Sequence, residues 1–185
     1  PRELYYESEL PKQDQEAPAL QKNIKPVPDC GEESYVGHER LLNRRVLITG
    51  GDSGIGRAAA IAYAREGADI ALQFYPGEEP DAKQVAKYVE EAGRKAVLLP
   101  FDLRDAAAPE KMVAQAVKEL GGLDTLVLNA AQQITQPSLA ELTMEQVRDT
   151  FDVNIISMFA TVKAALPHLP AGASITTTTS VQAFN

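Results

Sequence analysis

Eight consecutive residues of this chain have the types and the spacing that suit a phosphate group: Thr49, Gly50, Gly51, Asp52, Ser53, Gly54, Ile55 and Gly56. An apolar run precedes them, and an alanine-rich segment that begins at Arg57 follows. A strand, a tight glycine turn and a helix in this order bring backbone N–H groups and a helix N-terminus to one point, which attracts a pyrophosphate. Gly50 permits a sharp exit from the strand, Gly54 lets a cofactor approach the backbone, and Gly56 lets the helix lie close to the sheet. The alternative interpretation is a plain loop without a ligand.

Four further polar residues stand where predicted strands end or inside a predicted helix: Asp102, Asn129, Asn154 and Ser180. Those that follow strands are expected at the same sheet edge as the glycine turn, because parallel strands end together. Asn154 lies inside a helix, where asparagine is unfavourable because its side chain competes for backbone hydrogen bonds. The alternatives are a helix cap for Asp102, a surface position for Asn154 and turn chemistry for Ser180.

Apolar runs and helical segments alternate after residue 41. The runs are 46–49, 70–74, 96–100, 123–128 and 174–179, and the helical segments are 54–66, 81–92, 109–120 and 143–166. This order predicts an α/β protein of the Rossmann type, with a doubly wound parallel sheet covered on both faces.

The last helical segment has the strongest start signal. Thr143 can cap it, and Gln146 three residues later completes a capping box. Its apolar residues are expected to form a broad core face that is also wide enough for a subunit contact. They are Val147, Phe151, Ile155, Met158, Phe159, Val162 and Leu166.

Residues 1–40 differ from the predicted dinucleotide-binding domain at 41–185. Five of the twelve prolines fall at positions 1, 11, 18, 26 and 28, and no helical or strand period survives there. Two interpretations remain open, a disordered tail or an extended arm that packs on its own domain or on a neighbouring subunit. The residues that could anchor such an arm are Tyr5, Tyr6, Ile24, Val27 and Tyr35.

Composition restricts the partners of the protein. The net charge of −8 without a basic cluster argues against nucleic acid and anionic membranes. No apolar run reaches the roughly 20 residues of a membrane span, and no signal-peptide pattern is present, so a cytoplasmic location is expected. Cys30 is expected to be a free, exposed thiol. His38 and His168 lack neighbours with ligand spacing, so no metal site is predicted.

The spacing G-x-x-x-G-x-G with a leading Thr49 resembles the classical branch of the short-chain dehydrogenase/reductase family. Within it, the chain resembles bacterial oxidoreductases near the glucose/ribitol dehydrogenase homologues, and the resemblance covers essentially the whole sequence. The segments that carry this closer resemblance are 26–28, 34–37, 50–56, 63–68 and 180–183.

The resemblance assigns roles to the polar residues. It implies that Ser180 is the catalytic serine and that Asn154 holds a water in a proton relay. Asp102 and Leu103 would contact the adenine ring. Asn129 and Ala130 would form the turn beside the cofactor, where this chain has leucine and alanine in place of the family's first asparagine and its glycine.

The implied activity is the interconversion of an alcohol and a carbonyl by hydride transfer with NAD or NADP. The partner is a small-molecule substrate, and a homo-oligomer, a tetramer by resemblance, is expected. The family's Tyr-x-x-x-Lys motif is not in this sequence, which has no tyrosine after Tyr88 and no lysine after Lys163. We therefore expect a fragment of a longer enzyme, lacking the last strands of the sheet and inactive by itself. Two alternatives are a non-catalytic redox sensor and an extended-branch epimerase or dehydratase, whose glycines usually follow G-x-x-G-x-x-G.

Two residues bear on the choice of cofactor. The resemblance places Tyr75 and Ser53 at the positions that select between NAD and NADP. Both are neutral, and the loop 76–80 contains two acids and no base. Carboxylates disfavour the 2′-phosphate of NADP, so NAD is favoured because no cation stands there to pair with it.

Overall fold

The fold is built on one parallel sheet. The computed structural model describes Gln13, Gln15 and residues 19–180. Within these residues the sheet has five parallel strands in the order β3-β2-β1-β4-β5. The strands are β1 (Arg45–Thr49), β2 (Asp69–Phe74), β3 (Ala96–Pro100), β4 (Thr125–Leu128) and β5 (Ser174–Thr177).

Helices alternate with these strands, as the sequence predicted. They are α1 (Gly54–Arg65), α2 (Glu79–Glu91), α3 (Ala108–Leu120), α4 (Met144–Phe151) and α5 (Ser157–Ala165), with a π-helical segment at Asp152–Ile156. Short 3-10 turns occur at Gln21–Asn23, Leu139–Glu141 and Leu166–His168. No helix in the described part of the chain is long and apolar enough to cross a membrane.

The central strand β1 decides which side chains reach each face. Val46 and Ile48 face a core shared with α1 and α2, whereas Leu47 faces a second core shared with α3 and α5. β1 pairs with β2 on one side and with β4 on the other, so the strand order reverses between β1 and β4. Such a reversal opens a crevice at the carboxyl ends of the strands, where α/β proteins bind their ligands. The predicted fold class is confirmed.

The long helix predicted at 143–166 is interrupted. Thr143 and Gln146 form the expected capping box, with Oγ1 of Thr143 accepting from N of Gln146 at 3.1 Å and Oε1 of Gln146 accepting from N of Thr143 at 3.0 Å. The regular helix then gives way to the π-helical segment that contains Asn154. A residue that is unfavourable in an α-helix therefore lies where the α-helical hydrogen bonding is relaxed.

The prediction that the large apolar side chains of this helix face the core is wrong for four of them. Phe151, Ile155, Phe159 and Leu166 are exposed, Phe159 by 76%. The buried line instead runs at a spacing of four through smaller residues, which are Val153, Ser157, Thr161 and Ala165. The hydroxyls of Ser157 and Thr161 in this buried line donate to carbonyls one turn earlier, which satisfies them inside the protein.

The described part of the N-terminal arm lies on its own domain. Gly37 passes so close to the end of α1 that a Cβ there would overlap the carbonyl of Arg65. Beside it, the buried carboxylate of Glu66 accepts hydrogen bonds from Arg40, from the hydroxyl of Tyr35 and from the backbone N–H of His38. The Arg40 guanidinium, with Tyr35, holds the pKa of Glu66 well below its usual range.

Individual anchors differ from expectation. Tyr35 is partly buried and bonded, but Val27 is 68% exposed and does not anchor the arm to its own domain. Tyr5 and Tyr6 lie outside the described residues. The predicted exposure of Cys30 is wrong, because its side chain is buried and its Sγ contacts the carbonyl of Gly54 at 3.7 Å. Burial raises the pKa of this thiol, which makes it a poor nucleophile.

Candidate dinucleotide-binding site

The glycine turn joins β1 to α1 at the carboxyl edge of the sheet. Gly50 leaves the strand at φ +61° and passes so close to the chain after β4 that a Cβ on it would lie 2.9 Å from Cα of Ala130. Gly56, in the first turn of α1, faces the same region. A Cβ there would overlap the carbonyl of Gly50 and lie 2.7 Å from Nδ2 of Asn129. Glycine at these two positions therefore lets α1 pack directly on the turn and on the chain after β4.

The N-terminus of α1 has unused donors. Its first residue, Gly54, has φ +53°, and a Cβ added there would meet no heavy atom within 4 Å, so the space before it is open. The side chain of Ser53, at the cap position, makes no capping hydrogen bond. The N–H of Gly54 donates to the side chain of Gln21 at 2.6 Å, whereas Ile55 and Gly56 have no acceptor for their N–H groups among the described residues. Open space and two unpaired N–H groups at a helix N-terminus fit a phosphate.

Thr49 and Asn129 connect the turn to the end of β4. Oγ1 of Thr49 accepts from the backbone N–H of Asn129 at 2.9 Å and of Ala130 at 3.1 Å. The Asn129 side chain donates to O of Gly50 at 3.2 Å and accepts from the hydroxyl of Thr178 at 2.9 Å. The turn after β4 is therefore firmly bonded, although Leu128 stands at the position of the first of the family's two asparagines.

Gln73 is a supporting residue that the sequence analysis missed. Its buried side chain accepts from N of Gly50 at 2.9 Å and donates to O of Phe101 at 2.8 Å. It therefore ties the glycine turn to the end of β3. The signal that could have found it is a lone amide inside the apolar run that forms β2, since a buried amide requires partners.

Tyr75 and Asp102, which follow β2 and β3, meet around an arginine that the sequence analysis also missed. The Arg104 guanidinium donates to Oδ2 of Asp102 at 2.6 Å and to the hydroxyl of Tyr75 at 2.9 Å, and it lies 5.4 Å from the centre of the Tyr75 ring. It also reaches Asp149 in α4 at 3.4 Å. The bond from Arg104 lowers the pKa of Asp102. The side chain of the intervening Leu103 is buried in the core.

Three carboxyl groups lie between the glycine turn and α2. Burial raises the pKa of Asp52 to about 6. Burial, together with the nearby Asp52, raises the pKa of Glu78 to about 7, and Oε2 of Glu78 accepts from N of Tyr75 at 3.2 Å. Asp81 is fully buried, and its Oδ2 accepts from N of Gln21 at 2.6 Å. This side of the turn therefore carries negative charge that grows as pH rises.

Asn154 and Ser180 occupy separate segments. In the π-helical segment, Oδ1 of Asn154 accepts from N of Gln132 at 2.7 Å, and Nδ2 donates to O of Gln132 at 2.9 Å. Asn154 therefore holds the chain that leaves the turn after β4. Ser180 follows β5 and is exposed. The catalytic roles of both residues stay predictions.

The family is shown by sequence comparison. A family model described as short chain dehydrogenase matches residues 44–185. Because that match covers most of the chain, the protein belongs to the short-chain dehydrogenase/reductase family of oxidoreductases, as the glycine spacing indicated.

Curated relatives agree with this assignment. The protein named Uncharacterized oxidoreductase YhxD from Bacillus subtilis is 55% identical over 185 residues, which are 100% of this chain and 62% of the relative. Glucose and ribitol dehydrogenase homolog 2 from Arabidopsis thaliana is 34% identical over 183 residues, which are 96% of this chain and 63% of the relative. The chain thus spans a little under two thirds of the length of these relatives.

Solved structures share the fold and contain nicotinamide cofactors. A short chain dehydrogenase from Burkholderia cenocepacia in complex with NADP superposes with a TM-score of 0.76 at 36% identity, over 79% of this chain and 59% of the other. Carveol dehydrogenase from Mycobacterium avium in complex with NAD superposes with a TM-score of 0.71 at 31% identity, over 79% of this chain and 57% of the other. Neighbours of this chain therefore use either cofactor.

Proposed function

We propose that the full-length protein is an NAD(P)-dependent oxidoreductase that interconverts an alcohol and a carbonyl on a small molecule. The observation that carries the proposal is the N-terminus of α1, where Gly54 leaves open space and the N–H groups of Ile55 and Gly56 have no acceptor among the residues that the structure describes. These groups would hold the pyrophosphate. When bound, the nicotinamide supplies or accepts the hydride.

The other proposed cofactor contacts lie at the carboxyl edge of the sheet. Tyr75, after β2, would face the adenosine ribose, and Asp102 with the backbone of Leu103, after β3, would border the adenine. Asn129 and Ala130 would line the path from the pyrophosphate toward the nicotinamide. All five lie at the carboxyl ends of strands, where a dinucleotide crosses the sheet in this fold.

Ser180 and Asn154 would serve the substrate side. The Ser180 hydroxyl would donate to the substrate oxygen and stabilise the charge that develops there. Asn154 binds both backbone groups of Gln132, so its first task is to fix the segment beside the nicotinamide path, and a relay water would be ordered next to it. Proton transfer would require the family's Tyr-x-x-x-Lys pair, which is not in this sequence.

We favour NAD as the cofactor, for a reason that differs from the sequence argument. That argument assumed that no cation lies near Tyr75, whereas the Arg104 guanidinium does. Arg104 is, however, already bonded to Asp102 and Asp149, and the carboxyl of Glu78 sits at N of Tyr75. A 2′-phosphate would therefore meet a region with more acids than free bases.

Calorimetric titration of the full-length protein with NADH and NADPH tests the phosphate site. Gly54→Val should abolish binding, because the side chain would fill the open space before the helix. Gly93→Val is the matched control, since Gly93 has φ +73° and equally open surroundings but lies between α2 and β3. Both variants carry similar backbone strain. Equal affinity in the two would contradict the placement of the phosphate.

Turnover tests the reaction. NADH or NADPH oxidation should be measured on a panel of aldehydes and ketones, with alcohols for the reverse direction. Tight cofactor binding with no turnover on any of them, in a protein that lacks a downstream Tyr-x-x-x-Lys motif, would favour the non-catalytic sensor instead.

A further inference from the structure

A glutamine of the N-terminal arm reaches the glycine turn and binds the first residue of α1. Gln21 begins the 3-10 turn Gln21–Asn23 and is only 2% exposed. Its Oε1 accepts from the N–H of Gly54 at 2.6 Å, across 33 residues of sequence. An arm residue therefore satisfies the first N–H group of α1.

We propose that Gln21 is a positioning residue for the cofactor, acting as the helix cap that Ser53 does not provide. The proposal rests on the proposed function, because it concerns the affinity for a nicotinamide dinucleotide. Because Gln21 already binds the N–H of Gly54, the N–H groups of Ile55 and Gly56 would remain available for the pyrophosphate. The arm would thus be part of the cofactor site, although it touches no cofactor atom.

The backbone of Gly54 needs such support. Its φ of +53° lies in the left-handed region, and no side chain of its own can stabilise it. The arm holds both of its polar groups, because Sγ of Cys30 donates to O of Gly54 at 3.7 Å while Gln21 binds its N–H. Nε2 of Gln21 in turn donates to Sγ of Cys30 at 3.3 Å, so Gln21 and Cys30 are also bonded to each other beside Gly54.

Gln21 is itself fixed by the domain. Its backbone N–H donates to Oδ2 of Asp81, a fully buried residue in the first turn of α2, at 2.6 Å. Further along the arm, Glu32 pairs with the buried Arg57 at 2.8 Å, and Arg65 donates to O of Tyr35 at 2.6 Å. The arm is thus bonded to both ends of α1, so the amide of Gln21 has little freedom to leave Gly54.

Because the side-chain amide of Gln21 is neutral, replacing it with a charged carboxylate tests its role. A glutamate at position 21 would also accept from the N–H of Gly54, and a carboxylate is a good cap at a helix N-terminus. It would, however, place a negative charge beside the proposed pyrophosphate and repel it. Gln21→Glu should therefore keep the hydrogen bond to Gly54 and weaken cofactor binding more than loss of the cap alone does, while burial of its carboxylate near Asp81 lowers the stability of the apoprotein.

The experiment compares three variants of the full-length protein: Gln21→Glu, Gln21→Met and the control Gln13→Met. Gln13 is in the same arm and also makes two backbone hydrogen bonds, to N and O of Lys25 at 2.8 Å and 2.7 Å, but it is exposed. The measurements are the Kd for NADH and NADPH at low and high salt, the Tm of the apoprotein, and amide hydrogen exchange at Gly54 without cofactor.

Gln21→Met should raise the Kd about fivefold, the worth of one hydrogen bond, and speed exchange at Gly54. Gln21→Glu should raise the Kd by more than Gln21→Met at low salt, and this excess should shrink at high salt. Exchange at Gly54 should stay close to wild type, whereas the Tm should fall because the new carboxylate is buried near Asp81. Gln13→Met should change neither Kd nor exchange at Gly54.

Two results separate the possible failures. If the wild type binds NADH or NADPH and Gln21→Glu binds it equally well, the positioning role is wrong while the proposed function stands. If the wild type binds neither dinucleotide, the proposed function fails and the cofactor role of Gln21 fails with it. Exchange at Gly54 that is unchanged in Gln21→Met overturns the capping contact itself.

Discussion

A single methyl group at Gly56 tests how α1 is seated on the glycine turn. An added Cβ would overlap O of Gly50, and it would lie 2.8 Å from the carbonyl carbon of Gly50 and 2.7 Å from Nδ2 of Asn129. Neither neighbour can swing aside. The first is backbone, and the second is held by its bonds to Gly50 and Thr178. Gly56→Ala must therefore push α1 away from the sheet or displace the Asn129 side chain.

The expected cost follows from these contacts. Overpacking of a well-packed site costs about 1–3 kcal/mol. Loss of the hydrogen bond from Asn129 to Gly50 adds about 1 kcal/mol. The free energy of unfolding should therefore fall by roughly 2–4 kcal/mol on these two accounts. The sign is diagnostic, because glycine to alanine in an unobstructed helix stabilises by up to about 1 kcal/mol.

Urea unfolding of the full-length protein measures this change, and cofactor titration accompanies it. Gly54→Ala is the control in the same turn, since its Cβ meets nothing and only the left-handed φ costs about 1–2 kcal/mol. A Gly56→Ala protein as stable as the wild type, or more stable, would refute the close approach of α1.

Three further predictions concern ionisation and catalysis. Burial raises the pKa of Asp52 to about 6, so its ionisation disfavours the folded state as pH rises from about 4 to 6. The stability of Asp52→Asn relative to wild type should therefore increase by about 2 kcal/mol between pH 4 and pH 8 in urea unfolding, and a difference independent of pH would contradict this. Because the pKa of Glu78 is raised to about 7, the affinity for NADPH relative to NADH should improve as pH falls below 7, and Glu78→Gln should remove that dependence in paired titrations. Ser180→Ala should lower kcat by about 10²–10³ with little change in cofactor Kd, and a kcat near wild type on a good substrate would reject the assignment.

The parts of the fold that the sequence predicted are those with local signals. Strand β3 was expected at 96–100 and lies at Ala96–Pro100, because a buried parallel strand reads as an unbroken apolar run. The capping box at Thr143 was predictable because both of its hydrogen bonds join residues three apart. The glycine turn was predictable because its spacing reflects a backbone that only glycine can adopt.

Burial of individual side chains could not be predicted in the same way. Hydrophobicity placed Phe151 and Phe159 in the core, yet both are exposed, and the buried positions of α5 are the smaller residues Ser157, Thr161 and Ala165. A helix can lie close to its neighbour only through small residues, and the pattern of large apolar residues does not reveal which face is close. The choice between these faces depends on the position of α3, which is a long-range property.

The packing of the N-terminal arm could not be predicted from the sequence either. Its proline-rich stretch has no period, because its bonds are not made along a repeating face but at single points such as Gln21, Glu32 and Tyr35. Gln21 and Glu32 are polar residues without a distinctive pattern around them, and only Tyr35 was expected to be an anchor. All three are bonded to groups on α1 or on its C-cap residue Glu66, more than twenty residues away. The absence of periodicity therefore excludes a helix or strand, but it does not exclude a specific structure, since a chain can be held by hydrogen bonds that satisfy buried groups of its own domain. Gly37 is a residue of the arm whose type reflects this packing directly, because any side chain there would overlap the carbonyl of Arg65.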